Sequence, residues 1–145
     1  MDFDGATSRE GAGAGVWVIS LNNGSTLHSF KLAFDCTNNV AKYEALILGL
    51  NIMKELKDKR IVVHGDYELI INQVNGIYQT KHLKMRAYRN VVLDMLENST
   101  EHSIYVIPRS QNNIADSLAT ADSNFKIPVY PNIKYEIEIR QTYNP

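Results

Sequence analysis

Between Asn38 and Met53 the apolar residues recur at three- and four-residue steps. Ala41, Leu46, Gly49, Leu50 and Met53 therefore share one face of a helix. Thr37 or Asn38 caps that helix by accepting a backbone N–H. Lys42 is the one charge on the apolar face, near its start, and Glu44 points about 200° away, beside Leu48, Asn51 and Glu55. Upstream the pattern is β-rich. Met1–Asp4 reads as a short strand, and Gly5 with Gly11-Ala12-Gly13-Ala14-Gly15 as a turn and a close backbone approach. Val16–Leu21 reads as a strand, Asn22-Asn23-Gly24 as a turn, and Thr26–Phe34 as a strand alternating Leu27, Ser29, Lys31 and Ala33 against His28, Phe30, Leu32 and Phe34. Downstream, Ile61–Gly65 is a short apolar run ending at Asp66, as a buried central strand would be. Tyr67–Asn75 is a helix closed by Gly76. Met85, Tyr88, Val92, Met95 and Leu96 mark an amphipathic helix. Ser103–Ile107 is a last core strand, and Asn112–Ala119 a helix with Asp116 in its first turn, where a carboxylate suits the helix dipole.

That order predicts one mixed sheet with helices packed on it. A strand-helix-strand unit sets its strands parallel through a right-handed crossover. Asp4 and Asp66 are expected at carboxyl ends of strands, where open sheets carry their sites, with Asp116 on a helix beside them. Three carboxylates meeting there suit a hard dication such as Mg²⁺. Two such ions could activate a water for phosphodiester cleavage. The alternative, on spacing alone, is three unrelated capping or surface aspartates. The glycine run precedes a strand rather than opening a helix, which is the wrong context for dinucleotide binding.

Composition narrows the classes. A chain of 145 residues is one domain by default, and its net charge of -1 gives no global pull toward a polyanion, so any such contact is local. One cysteine, Cys36, excludes an internal disulfide and suits a reducing, intracellular compartment. No apolar run approaches the roughly 18 residues a membrane helix needs. From Leu69 to Leu93 there is no Asp or Glu, while Lys81, His82, Lys84, Arg86 and Arg89 interleave with Tyr78 and Tyr88. This is either a solvated basic face or one that follows phosphates. His28 reads as a surface or satisfied histidine and Cys36 as a packed small hydrophobe. After Asn124, prolines flank Lys134–Arg140, which reads as a linker with one strand-like patch. The organisation expected is a domain over 1–122 and a tail over 123–145.

Asp4-Gly5 before a glycine-rich stretch and strand, Thr37-Asn38-Asn39, Gly65-Asp66, and Ile107-Pro108-Arg109 leading to Ala115-Asp116-Ser117-Leu118-Ala119 resemble the type 1 ribonuclease H family. The likeness is greatest to the archaeal-like domains of plant gypsy-type LTR retrotransposon polyproteins, and covers Met1 to Ala121. It implies an α/β, ribonuclease H-like fold: a five-stranded mixed sheet in order 3-2-1-4-5, flanked by helices. It implies cleavage of the RNA strand of an RNA–DNA hybrid with two Mg²⁺ or Mn²⁺ ions, beside reverse transcriptase and integrase regions of one polyprotein. By position Asp4, Asp66 and Asp116 match the catalytic metal ligands. Thr37, Asn38 and Asn39 match positions that hold the DNA strand. Backbone near Thr7, Arg9 and Gly11 matches the turn that touches RNA 2′-hydroxyls. Lys81, Lys84 and Arg86 are further candidates for contact with the hybrid. Three departures stand out. Lys42 occupies the place of the family's fourth ligand, a glutamate. Tyr67 follows the second aspartate, where Ser is common. Pro108-Arg109 replaces a histidine that helps turnover, which makes Arg109 a candidate for that role. The expectation is weak or absent cleavage with fold and hybrid binding kept, or else a non-catalytic nucleic-acid-binding or spacer module of the same fold.

Overall fold

The computed structural model describes residues 1–9, 11–20, 24–34, 36–57 and 60–120, and the backbone of 133–140. In chain order the elements are β1 (Asp2–Ser8), β2 (Gly11–Ser20), β3 (Gly24–Leu32), α1 (Asn38–Glu55), β4 (Arg60–Gly65), α2 (Glu68–Val74), α3 (Leu83–Glu97), β5 (Glu101–Val106), α4 (Asn113–Ala119) and β6 (Ile133–Arg140). They form one sheet in the order β5-β4-β1-β2-β3-β6. The first three strands are an antiparallel meander, and β4 runs parallel to both β1 and β5. The five-stranded 3-2-1-4-5 mixed sheet is therefore present, and β6 extends it by pairing parallel to β3, from Ser25 opposite Ile133 to Leu32 opposite Arg140. The domain boundary expected at 122/123 lies outside the described residues.

Two expectations about the first third need correction. β1 is seven residues long, so Asp4 lies inside a strand and not at its end. The Gly11–Gly15 run is not a turn: it is the first half of β2, and Gly5 pairs with Ala14 and Asp4 with Gly15. The chain reverses between Ser8 and Gly11, and only Gly11 of that run has a left-handed φ, +131°. What the other glycines supply is bare backbone. A Cβ on Gly5 would overlap the carbonyl of Ala41 and the amide of Lys42 in α1, and a Cβ on Gly13 or Gly15 would overlap the carbonyl oxygens of Ala119 or Ala115 in α4. Side chains alternate across a strand, so α1 and α4 close on opposite faces of the sheet. Asp4, opposite Gly15, is carried on the α4 side.

Thr37 caps α1, its Oγ1 accepting from the Val40 amide at 3.2 Å. The helix is buried on almost every side, between the sheet and α3. Glu44, expected among the polar positions, is fully buried. It accepts a 2.7 Å hydrogen bond from the Tyr88 hydroxyl, the Tyr88 ring stacks on Tyr43 at 5.6 Å, and the Tyr43 hydroxyl donates to Gln73 Oε1 at 2.7 Å. This polar seam joins α1, α2 and α3. His28 is buried and bonded to Thr26 Oγ1 at 2.8 Å, and Cys36 packs against the edge of the core.

Candidate active site and nucleic-acid interface

Four elements meet at one end of the sheet. The Lys42 ammonium, on α1, donates to Asp4 Oδ1 on β1 at 2.6 Å and lies 4.0 Å from Asp66 Oδ1, just past the end of β4. The three side chains are 15%, 4% and 6% exposed, so the pair lies in a medium that screens it poorly. Asn112 fastens the start of α4 to the same place, donating through Nδ2 to the Phe3 carbonyl at 3.0 Å and to Asp66 Oδ2 at 3.1 Å. On the rim Arg109 Nη2 is 3.9 Å from Asp116 Oδ1. Burial pushes the Asp4 carboxyl up to about 6; Lys42 offsets part of that rise, and the Asp66 and Asp116 carboxyls add to it. Asp4 thus lies beside both Asp66 and Asp116, far apart in sequence, with Lys42 against it. The Lys42 ammonium also lies 5.1 Å from the centre of the Tyr67 ring. Two departures from the ribonuclease H pattern, at 42 and 67, are therefore in contact.

This donor set does not fit a pair of divalent ions. Asp4 Oδ1 already accepts from the Lys42 ammonium and from the Gly5 amide, at 2.6 and 2.9 Å. A dication about 4 Å from the ammonium would be repelled by roughly 8 kcal/mol at an effective dielectric of about 20. Among the described residues no group of three His, Cys, Asp or Glu side chains is arranged to hold a metal. Glu44 does not compensate, being turned into the seam with Tyr88.

The residues expected to face nucleic acid divide. Asn38 Oδ1 accepts from the Thr7 amide at 3.2 Å and from the Thr7 hydroxyl at 2.6 Å, so it ties the end of β1 to the start of α1. Arg9 and Gly11 are exposed at the β1–β2 reversal. Thr37, Asn39 and Val40 line a cavity of about 650 Å³, together with Leu69, Gln73 and the 79–85 segment, including Lys81 and Lys84. The first turn of α1 holds no acidic residue to neutralise its dipole. Lys81, Lys84 and Arg86 are exposed, and Arg86 Nε braces the segment by donating to the Thr80 carbonyl at 3.2 Å. Tyr88 and Arg89 do not belong to this face: Tyr88 is buried against Glu44 and Arg89 is half-buried. Reasoning from the sequence missed Thr80, which is buried in the cavity wall with its hydroxyl unpartnered. No local signal marks a threonine between two helices; only the missing bond in three dimensions does.

A 3-2-1-4-5 mixed sheet with α1 and α4 on opposite faces and aspartates meeting across β1, β4 and α4 defines a ribonuclease H-type domain. The reverse transcriptase-like family matches residues 2–122, and the chain belongs to that family. It is similar to ribonuclease HI of Halobacterium salinarum, 32% identical over 119 residues, and to a bifunctional protein of Mycobacterium tuberculosis, 30% identical over 109 residues. Those stretches are 81% and 74% of this chain but 60% and 30% of the two relatives' own lengths. Among solved structures it resembles RNase H1 of H. salinarum, with TM-score 0.72 and 29% identity over 81% of this chain and 91% of that one. It also resembles LC11-RNase H1 in complex with an RNA/DNA hybrid, with TM-score 0.67 and 28% identity over the same shares. No described helix is long and apolar enough to cross a membrane.

Proposed function

We propose that this chain is an RNA–DNA hybrid-binding domain of a retroelement polyprotein whose hydrolytic step is impaired. The observation that carries this reading is the Lys42 ammonium, 2.6 Å from Asp4. In the family's reaction two Mg²⁺ or Mn²⁺ ions on Asp4, Asp66 and Asp116 would supply the nucleophile and stabilise the leaving oxygen. With Lys42 in that space the set lacks a ligand and carries a repelling charge. Hybrid binding draws on other residues. The cavity beside Thr37 and Asn39 offers helix amides, the Thr80 hydroxyl and the ammonium groups of Lys81 and Lys84 to a backbone phosphate of the DNA strand. Arg86 adds charge beside it. Backbone at Thr7, Arg9 and Gly11 faces the RNA strand, where 2′-hydroxyls distinguish RNA from DNA. Arg109, on the rim, takes the position from which a product phosphate would leave. The RNA/DNA complex of the LC11 relative supports the choice of ligand.

The second reading, a non-catalytic binding or spacer module between reverse transcriptase and integrase regions inside the cell, is favoured by the same lysine. One assay separates the two: hybrid cleavage in Mn²⁺ by the unaltered chain and by Lys42→Glu, with hybrid binding measured alongside. Binding by both and cleavage only by the variant is the expected result. Robust cleavage by the unaltered chain would overturn the impairment. Absence of binding by either protein would leave only the spacer.

A further inference from the structure

We infer that Lys42 is a resident counter-cation, which turns the acidic end of the sheet into a structural ion cluster independent of divalent metal. A lysine near the N-terminus of α1 is opposed by the helix dipole, and its flexible stem could carry the ammonium out to water. It does neither: its side chain is 15% exposed and points inward. Three groups hold it there, the Asp4 carboxylate at 2.6 Å, the Asp66 carboxylate at 4.0 Å and the face of Tyr67 at 5.1 Å. A cation over an aromatic ring is attracted by the ring quadrupole, so the tyrosine secures the ammonium on a side the carboxylates do not reach. Two further carboxylate oxygens have partners. Asn112 donates to Asp66 Oδ2, and Arg109 lies 3.9 Å from Asp116. Each of the three carboxylates therefore has a cationic or donor partner within the chain. The contacts cross from α1 to β1 and from α1 to the end of β4, and Asn112 brings in α4. In such a cluster the ammonium does the neutralising that a dication would otherwise do, and removing it would leave carboxylates facing one another in a poorly hydrated site.

The consequence is that folding ignores divalent ions and, on the function proposed above, so does hybrid binding. Thermal melts of the full chain in EDTA and in Mg²⁺ test the first part without nucleic acid, and titration calorimetry with Mn²⁺ tests it directly. The unaltered chain should melt at the same temperature in both buffers and give no Mn²⁺ binding heat. Lys42→Glu should melt about 10 °C lower in EDTA and recover with Mg²⁺. Lys42→Arg, which keeps the charge, should stay indifferent to Mg²⁺. If Lys42→Glu does not fold without metal, Lys42→Met takes its place and should be stabilised by Mg²⁺. Equal Mg²⁺ stabilisation of the unaltered chain and Lys42→Glu, or of the unaltered chain and Lys42→Met, would overturn the inference, as would Mn²⁺ binding by the unaltered chain. Hybrid binding in EDTA is read separately. Its loss with metal-indifferent melts would remove the function proposed and leave the ion cluster standing.

Discussion

The two sides of the start of α1 make a useful contrast. Toward the sheet, the Lys42 ammonium lies 2.6 and 4.0 Å from Asp4 and Asp66, and Asn112 donates to Asp66 at 3.1 Å, although its own Oδ1 is buried without a partner. Toward α3, the cavity bounded by Thr37, Asn39, Thr80 and Lys81 retains an unpartnered buried hydroxyl and exposed ammonium groups. A buried polar group without a partner is costly, so the second side gains from a ligand that brings acceptors. The first already holds a cation of its own, the Lys42 ammonium, between two of its carboxylates. One helix end thus presents a closed surface and an open one a few residues apart, and the closed one is where the chemistry of the family belongs.

Four measurements would break or sharpen that contrast. The largest effect belongs to Lys42→Glu, which should raise Mn²⁺-dependent hybrid cleavage by about 1000-fold over the unaltered chain, the scale of restoring an electrostatic element of a reaction site. A gel assay of labelled RNA in the hybrid checks it; a rate unchanged by the variant would show that more than one ligand has been lost. Next is the pH dependence of the closed side. Asp4 ionises near 3.8 when unperturbed and at about 6 in the fold. Below the lower value both folded and unfolded chains hold the proton. Between the two the unfolded chain has lost it and the folded chain keeps it, so stability falls as pH rises, by on the order of 3 kcal/mol in full above about pH 6. Asp4→Asn removes this dependence. Denaturant titrations at about pH 4 and about pH 7 should therefore show the variant gaining on the unaltered chain at the higher pH, and a constant difference would contradict the raised value. Third, Lys81→Ala with Lys84→Ala should weaken hybrid binding about 10-fold and flatten its salt dependence, which filter binding across a salt series reads. The smallest effect is that of Thr80→Val. It should weaken hybrid binding a few-fold while leaving the melting temperature unchanged or slightly higher, because it deletes a hydroxyl that nothing in the fold satisfies.

Much of this was legible in the chain because the signals are local. The helical period of α1, the apolar run of β4 and the placing of Asp116 early in α4 read directly from spacing, and they bring the aspartates to the right end of the sheet. What was not legible depends on partners distant in sequence. Glycines at 11, 13 and 15 resemble a turn until α4 is seen resting on two of them. Asp4 looked like the tip of a short strand because the residues after it pair through backbone alone. Arg89 reads as part of the basic stretch yet is half-buried, and Tyr88, which fits both that stretch and the apolar face of α3, lies on the latter and donates to Glu44 in the core. Lys134–Arg140 was readable as strand-like, but its pairing with β3 was not, since a parallel partner leaves no hairpin signature.

The bare backbone of β2 reaches further than its own packing. Because α4 rests on Gly13 and Gly15, the place of Asp116 is set by two side chains that do not exist. A saturation library should therefore tolerate almost nothing at these positions, although neither offers a functional group to lose. A scan that scored importance by chemistry alone would pass over them, and any added methyl would act like a wedge driven under a hinge.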